Sequence, residues 1–218
     1  MKKRYVVIGL GNFGLSVART LHEGGHEVIA MDLREELVDR AGQFVTRAVV
    51  GDGTDVEVLM RCGAGDADDG VVSTGSDITA SVLAVLALQD AGVEDINVKV
   101  ISLRHERVLR RMGVDEIIFP ERESGQNLAR RLMGGGILHY VPFHEKYAFQ
   151  EMITPEAWRG QSLRSLRIRD RYGVQVVGIH DVLADKTTIP PDPDVPLLDS
   201  DTLILAGRDA DLRRLAFD

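Results

Sequence analysis

The chain has a single cysteine, Cys62, and so can form no internal disulfide and no cysteine-rich metal site. That scarcity fits a reducing compartment, and with neither His nor Lys beside it Cys62 reads as a buried packing residue. No apolar run approaches the roughly 18 residues that a bilayer-spanning helix needs. The opening MKKRYVVIGLG sets positive charge before an apolar run, but glycines follow where a signal peptide would need a longer apolar core and a small-residue cleavage site. A cytoplasmic chain is the expectation. Acidic residues outnumber basic ones, 34 to 26, and the net charge of −8 argues against nucleic acid as the main partner, because phosphate backbones call for clustered Lys and Arg. Basic residues do gather locally at Arg104, Arg107, Arg110 and Arg111 and again at Arg164, Arg167, Arg169 and Arg171, which read as solvated faces with acidic neighbours. His22, His26, His139, His144 and His180 read as surface or satisfied histidines.

What the chain does have is glycine in a particular place. Residues 5–8 form a β-branched apolar run followed at once by Gly9, Gly11 and Gly14 in the spacing G-x-G-x-x-G. Gly9 permits a tight turn, Gly11 leaves no Cβ in the way of a pyrophosphate, and Gly14 lets the next helix pack closely on the sheet. That helix starts near Asn12 and turns its unsatisfied N–H groups toward any anion there, with Phe13, Val17 and Leu21 on its inner face. A second strand over 27–31 ends at Asp32, whose carboxylate suits a ribose diol and repels a 2′-phosphate, favouring NAD or an adenine nucleotide over NADP.

The 218 residues, 44% of them hydrophobic, allow one larger and one smaller domain. Strands over 46–50, 70–73, 96–101 and 116–119 alternate with helices over 34–43, 55–62, 78–91 and 105–112. Asp77 or Ser76 caps the third of these helices. This alternation predicts an α/β fold, a Rossmann-like doubly wound parallel sheet of order 3-2-1-4-5-6. Its strand ends, Gly9 to Gly14, Asp32, Asp52 with Gly53, Thr74 with Gly75 and Ser76, and Lys99 to Ile101, should ring one crevice. A helix over 124–133 precedes Gly134-Gly135-Gly136, which sets the expected boundary between domains 1–136 and 137–218. Strands over 147–153, 174–180 and 202–206, a short helix over 163–166 and a proline-rich loop predict a small α+β C-terminal domain, with Trp158 in its core or at a subunit contact.

VVIGLGNFGLSVARTLHEGGHEVIAMD, the later GDGT, VKV, RMGVDEIIFPE, GQSLRSLRIRDRYGVQVVGI and DTLILAG together resemble, in order and spacing, the RCK (TrkA-N/TrkA-C) regulatory subunits of Ktr/Trk-type potassium uptake systems. One copy of each domain looks like the Ktr type. The resemblance implies a regulatory subunit that assembles as dimers into a ring, usually an octamer, beneath a transmembrane potassium-transporting partner. It implies ATP/ADP or NAD(H) as ligands, met by Gly11, Asn12, Phe13, Asp32, Asp52, Gly53, Thr74, Gly75, Lys99 and His105. Cyclic di-AMP is a ligand of the C-terminal domain in some members. Glu121 matches a glutamate that sits near the terminal phosphates and helps hold a divalent cation, Mg²⁺ or Ca²⁺. Some ATP-switched relatives carry a basic residue where this chain has Asn12; a neutral amide adds no charge to tell three phosphates from two, so NAD or ADP gains weight.

Each residue also has a plainer reading. Lys99 at a buried strand end needs an anion or must snorkel to the surface, His105 is a ligand contact or a neutral surface histidine, and Glu121 is a cation ligand or a helix cap. A binding module without turnover is expected, with an NAD-dependent oxidoreductase as the alternative, since its cofactor half would look the same. Residues 140–218 offer no evident acid–base constellation for hydride transfer. A redox-sensing repressor would need a helix-turn-helix segment, and none is evident.

Overall fold

The computed structural model describes residues 1–218 apart from Ser76, Asp115, Gly134, Glu145 and Asp218 and the side chains of Ala216 and Phe217. The chain divides into two compact units, Met1–Glu121 and Arg122–Asp218.

In the first unit six strands, β1 (Arg4–Ile8), β2 (Glu27–Asp32), β3 (Arg47–Val50), β4 (Asp69–Val72), β5 (Asp95–Lys99) and β6 (Glu116–Ile118), form one parallel sheet. Their order is β3-β2-β1-β4-β5-β6, the doubly wound arrangement. Helices α1 (Asn12–Glu23), α2 (Glu35–Gly42), α3 (Val56–Cys62), α4 (Ile78–Asp90) and α5 (Leu103–Arg111) fill the crossovers. Because side chains alternate across a strand, β1 feeds two cores. Val6 and Ile8 pack with Leu59, Leu88 and Leu109, whereas Val7 packs with Ala18, Leu37 and Ala41. Cys62 is buried in the first of these layers, donating its thiol to the Leu59 carbonyl.

The helix that follows β6, α6 (Pro120–Leu132), begins four residues before the expected start at 124. Pro120 ends β6 as expected and also opens α6, since a proline at the first helical position loses no hydrogen bond that the helix would have made. Among the described residues no helix is long and apolar enough to cross a membrane.

The second unit holds a five-stranded antiparallel sheet built from β7 (Ile137–His144), β8 (Tyr147–Ile153), β9 (Gln175–Asp181), β10 (Lys186–Thr188) and β11 (Asp201–Arg208), in the order β10-β9-β11-β8-β7. Short helices α7 (Leu163–Leu166) and α8 (Ile168–Tyr172) and the terminal α9 (Asp209–Phe217) complete this α+β module. Trp158 lies in its core, 5.9 Å from Tyr172 between ring centroids and packed with Leu203, Leu205 and Leu212.

Candidate functional site

The glycines at the end of β1 are set by steric demand. A Cβ on Gly9 would lie 2.2 Å from the Ser73 carbonyl oxygen, and Gly9 has φ +89°. A Cβ on Gly14 would lie 1.9 Å from the Gly9 carbonyl oxygen. Both contacts are with backbone, which cannot yield, so β1, α1 and the end of β4 are held together only if these residues are glycine. Gly11 differs. Its φ of −62° suits any residue, and a Cβ there would meet nothing within 4 Å. That opening lies at the N-cap of α1, a helix with no side-chain cap hydrogen bond among the described residues and no acidic residue in its first turn. Its positive end therefore faces open space, as an anion site requires.

Asp32 is held beside this opening. One carboxylate oxygen accepts from the Leu10 N–H at 2.7 Å, and the other from the Arg34 N–H at 2.9 Å. The Arg34 guanidinium Nε is 3.4 Å from that second oxygen. Leu10 and Arg34 escape a motif search, although their nearness to the glycine turn and to Asp32 is the signal that places them. Asp52 caps its own turn, accepting from the Thr54 N–H and hydroxyl at 2.9 and 2.7 Å, and these bonds hold its carboxyl below the usual range. Gly53 sits against β1, where a Cβ would be 2.3 Å from Ile8. Thr74 donates its hydroxyl to the Asp77 carbonyl at 3.3 Å, and Gly75 turns with φ +68° facing open space. Ser76 lies outside the described residues.

At the end of β5, Lys99 meets Glu121. Its ammonium is 2.6 Å from the carboxylate and 5.9 Å from the centroid of the Phe13 ring in the first turn of α1. That hydrogen bond holds the Glu121 carboxyl below its ordinary value. The structure thus brings Phe13, Lys99 and Glu121 together, and Gly9, Gly14 and Thr74 likewise. Asn12, next to Gly11, is exposed. Among the described residues no group of three or more His, Cys, Asp or Glu side chains gathers to hold a metal ion, so Glu121 has an ammonium partner rather than fellow ligands.

His105 is not the surface histidine that its helix-start position allowed. It is 2% exposed, and neither ring nitrogen has a partner among the described residues. Burial pushes its pKa down and keeps the imidazole neutral.

The second unit carries a feature that charge counting alone did not single out. Arg164, Arg167 and Arg169 line a cavity of about 350 Å³ together with Ile168, Pro190 and Pro193. Arg164 is held by Asp194 at 2.6 and 3.0 Å and Arg167 by Asp170 at 2.9 Å, as expected of basic residues with acidic neighbours. Arg169 has no ion-pair partner among the described residues. The available signal was the coincidence of an arginine cluster with a proline-rich loop.

Comparison with known proteins places this geometry in a family. Residues 5–120 match the TrkA-N domain model and residues 150–216 the TrkA-C domain model. The chain is 35% identical to Ktr system potassium uptake protein C of Bacillus subtilis (strain 168), over 98% of this chain and 96% of that one. It is 36% identical to Ktr system potassium uptake protein A of Vibrio alginolyticus, over 81% of this chain and 80% of that one. Among solved structures, the GsuK channel bound to NAD superposes with a TM-score of 0.66 at 16% identity, covering all of this chain and 39% of that longer one, a likeness of fold. From its two matched domains and its near full-length kinship to Ktr proteins, the chain belongs to the RCK (TrkA-N/TrkA-C) family of Ktr/Trk-type potassium uptake proteins.

Proposed function

We propose that the chain is a cytoplasmic regulatory subunit that binds an adenine nucleotide, ATP/ADP or NAD(H), at the carboxyl ends of β1, β2 and β4 and thereby gates a transmembrane potassium-transporting partner. The observation that carries this reading is the opening at Gly11. It is the one place in the glycine motif where a side chain would meet only space, and it lies at the uncapped end of α1 beside an anchored Asp32. A bound dinucleotide or nucleoside diphosphate supplies negative charge and a ribose diol there. The protein supplies free N–H groups, the helix end and a carboxylate. No bond need be made or broken, because a ligand shifts a gating equilibrium through its different affinity for two states.

Regulation of a pore calls for assembly, and α4 supports the proposed homo-oligomer of dimers in an octameric ring. The helix is apolar on nearly every side, yet Leu83 and Leu86 are 44% and 43% exposed. A helix apolar all round is ordinarily covered, and a second copy is the cover proposed here. The arginine-lined cavity suits a ligand with two phosphates, and cyclic di-AMP is the one proposed for the C-terminal domain. A divalent cation, Mg²⁺ or Ca²⁺, at Glu121 would need nucleotide oxygens or another copy to complete its shell, since the described residues gather no group of three His, Cys, Asp or Glu side chains.

The test is isothermal titration of NAD and ADP into the wild type and Asp32→Ala. The variant loses roughly 1.5 to 3 kcal/mol of affinity, the scale for hydrogen bonds to a charged group. Equal affinities in the two proteins would remove Asp32 from the site.

A further inference from the structure

Lys99 and Glu121 form an ion pair whose two halves are unequally buried. The lysine side chain is 14% exposed and the glutamate 60%. The asymmetry matters because the partners lose different amounts if they separate. A released carboxylate at the surface is hydrated at once, and in the first turn of α6 it keeps a favourable helix end beside it. A nearly buried ammonium cannot do the same, and must keep an anion. Glu121 is its only ion-pair partner among the described residues. On its other side Lys99 faces the Phe13 ring in the first turn of α1, where the helix end, the Gly11 opening and the lack of an acidic residue in that turn all favour an anion.

We infer that Lys99 and Glu121 are a latch that the phosphate of a bound nucleotide opens, the phosphate taking the ammonium and releasing the carboxylate. The inference rests on the nucleotide reading above and adds to it a regulatory event. Both anions want the same ammonium, and two negative groups on one cation repel each other, so phosphate occupancy and the Lys99–Glu121 pair oppose one another. Glu121 ends the first unit and lies in the helix that runs on into the second. Opening the latch therefore changes the start of that connecting helix according to whether phosphate is present. Adenosine, which carries no phosphate, leaves the pair closed.

The test is a double-mutant cycle of Lys99→Met and Glu121→Gln, titrating ADP and adenosine calorimetrically with EDTA present to remove cation effects. Far-ultraviolet circular dichroism and a thermal melt establish that each variant is folded. Removing the competing carboxylate raises the ratio of ADP to adenosine affinity by about fivefold, the upper scale for one partly exposed ion pair. In the Lys99→Met background the same substitution leaves the ratio unchanged. An unchanged or lowered ratio in Glu121→Gln alone, or an increase that persists without Lys99, overturns the latch while leaving nucleotide binding intact. Failure of the wild type to bind either ligand would defeat the nucleotide reading and the latch with it.

Discussion

At the scale of single residues, the three glycines at 9, 11 and 14 do different work, and the difference can be measured. Gly14→Ala drives a methyl into the Gly9 carbonyl at 1.9 Å, a backbone contact that only a shift of α1 relieves. Urea unfolding should show a loss of about 3 kcal/mol or more. Gly11→Ala meets open space at an ordinary φ, so its stability stays within about 1 kcal/mol of wild type. Its ADP or NAD affinity nonetheless falls by about tenfold or more, because the methyl fills the room left for the pyrophosphate. A stable Gly11→Ala protein with wild-type affinity would contradict the placement of the phosphates. Much of this was legible from spacing alone, since G-x-G-x-x-G after a strand and Asp32 after the next already mark the crevice. The Lys99–Glu121 pair was not legible, because it joins a strand end to a helix start across β6 and the two residues carry no shared local pattern. Nor was the burial of His105, which depends on how the first turn of α5 packs and not on its polarity.

At the scale of elements, local chemistry accounts for most boundaries. Asp77 caps α4 by accepting from the Ala80 N–H at 2.9 Å, one of the two caps that the sequence allowed. Asp77→Ala should cost about 1 kcal/mol in urea unfolding, and a cost near zero would mean that the helix end is satisfied otherwise. The strands buried on both faces of the parallel sheet announced themselves as apolar runs. β7 did not, because it is an edge strand whose exposed half breaks the alternation and whose Pro142 reads as a stop. An edge tolerates a proline that a central strand would reject. The helices α8 and α9 likewise carry little local signal in the sequence. α8 is a short piece between Arg167 and Gly173, both in left-handed conformation, and α9 follows β11 with no intervening loop to signal it.

At the scale of the whole molecule, the two units have separate cores and separate candidate ligand sites, an adenine nucleotide crevice in one and an arginine-lined cavity in the other. Assembly is the remaining requirement of the proposed gating role. If α4 is covered by another copy, Leu83→Glu with Leu86→Glu places two charges in that contact. Light scattering after size exclusion should then show a smaller species than the wild type, with unchanged circular dichroism. A variant of wild-type mass would free α4 from that role. The most direct measurement of the central claim is native mass spectrometry of the purified wild-type chain, followed by release and identification of any small molecule on denaturation. The account predicts a multimer that carries an adenine nucleotide or takes one up when ADP, ATP or NAD is added. A monomer that retains and acquires none of them would contradict it.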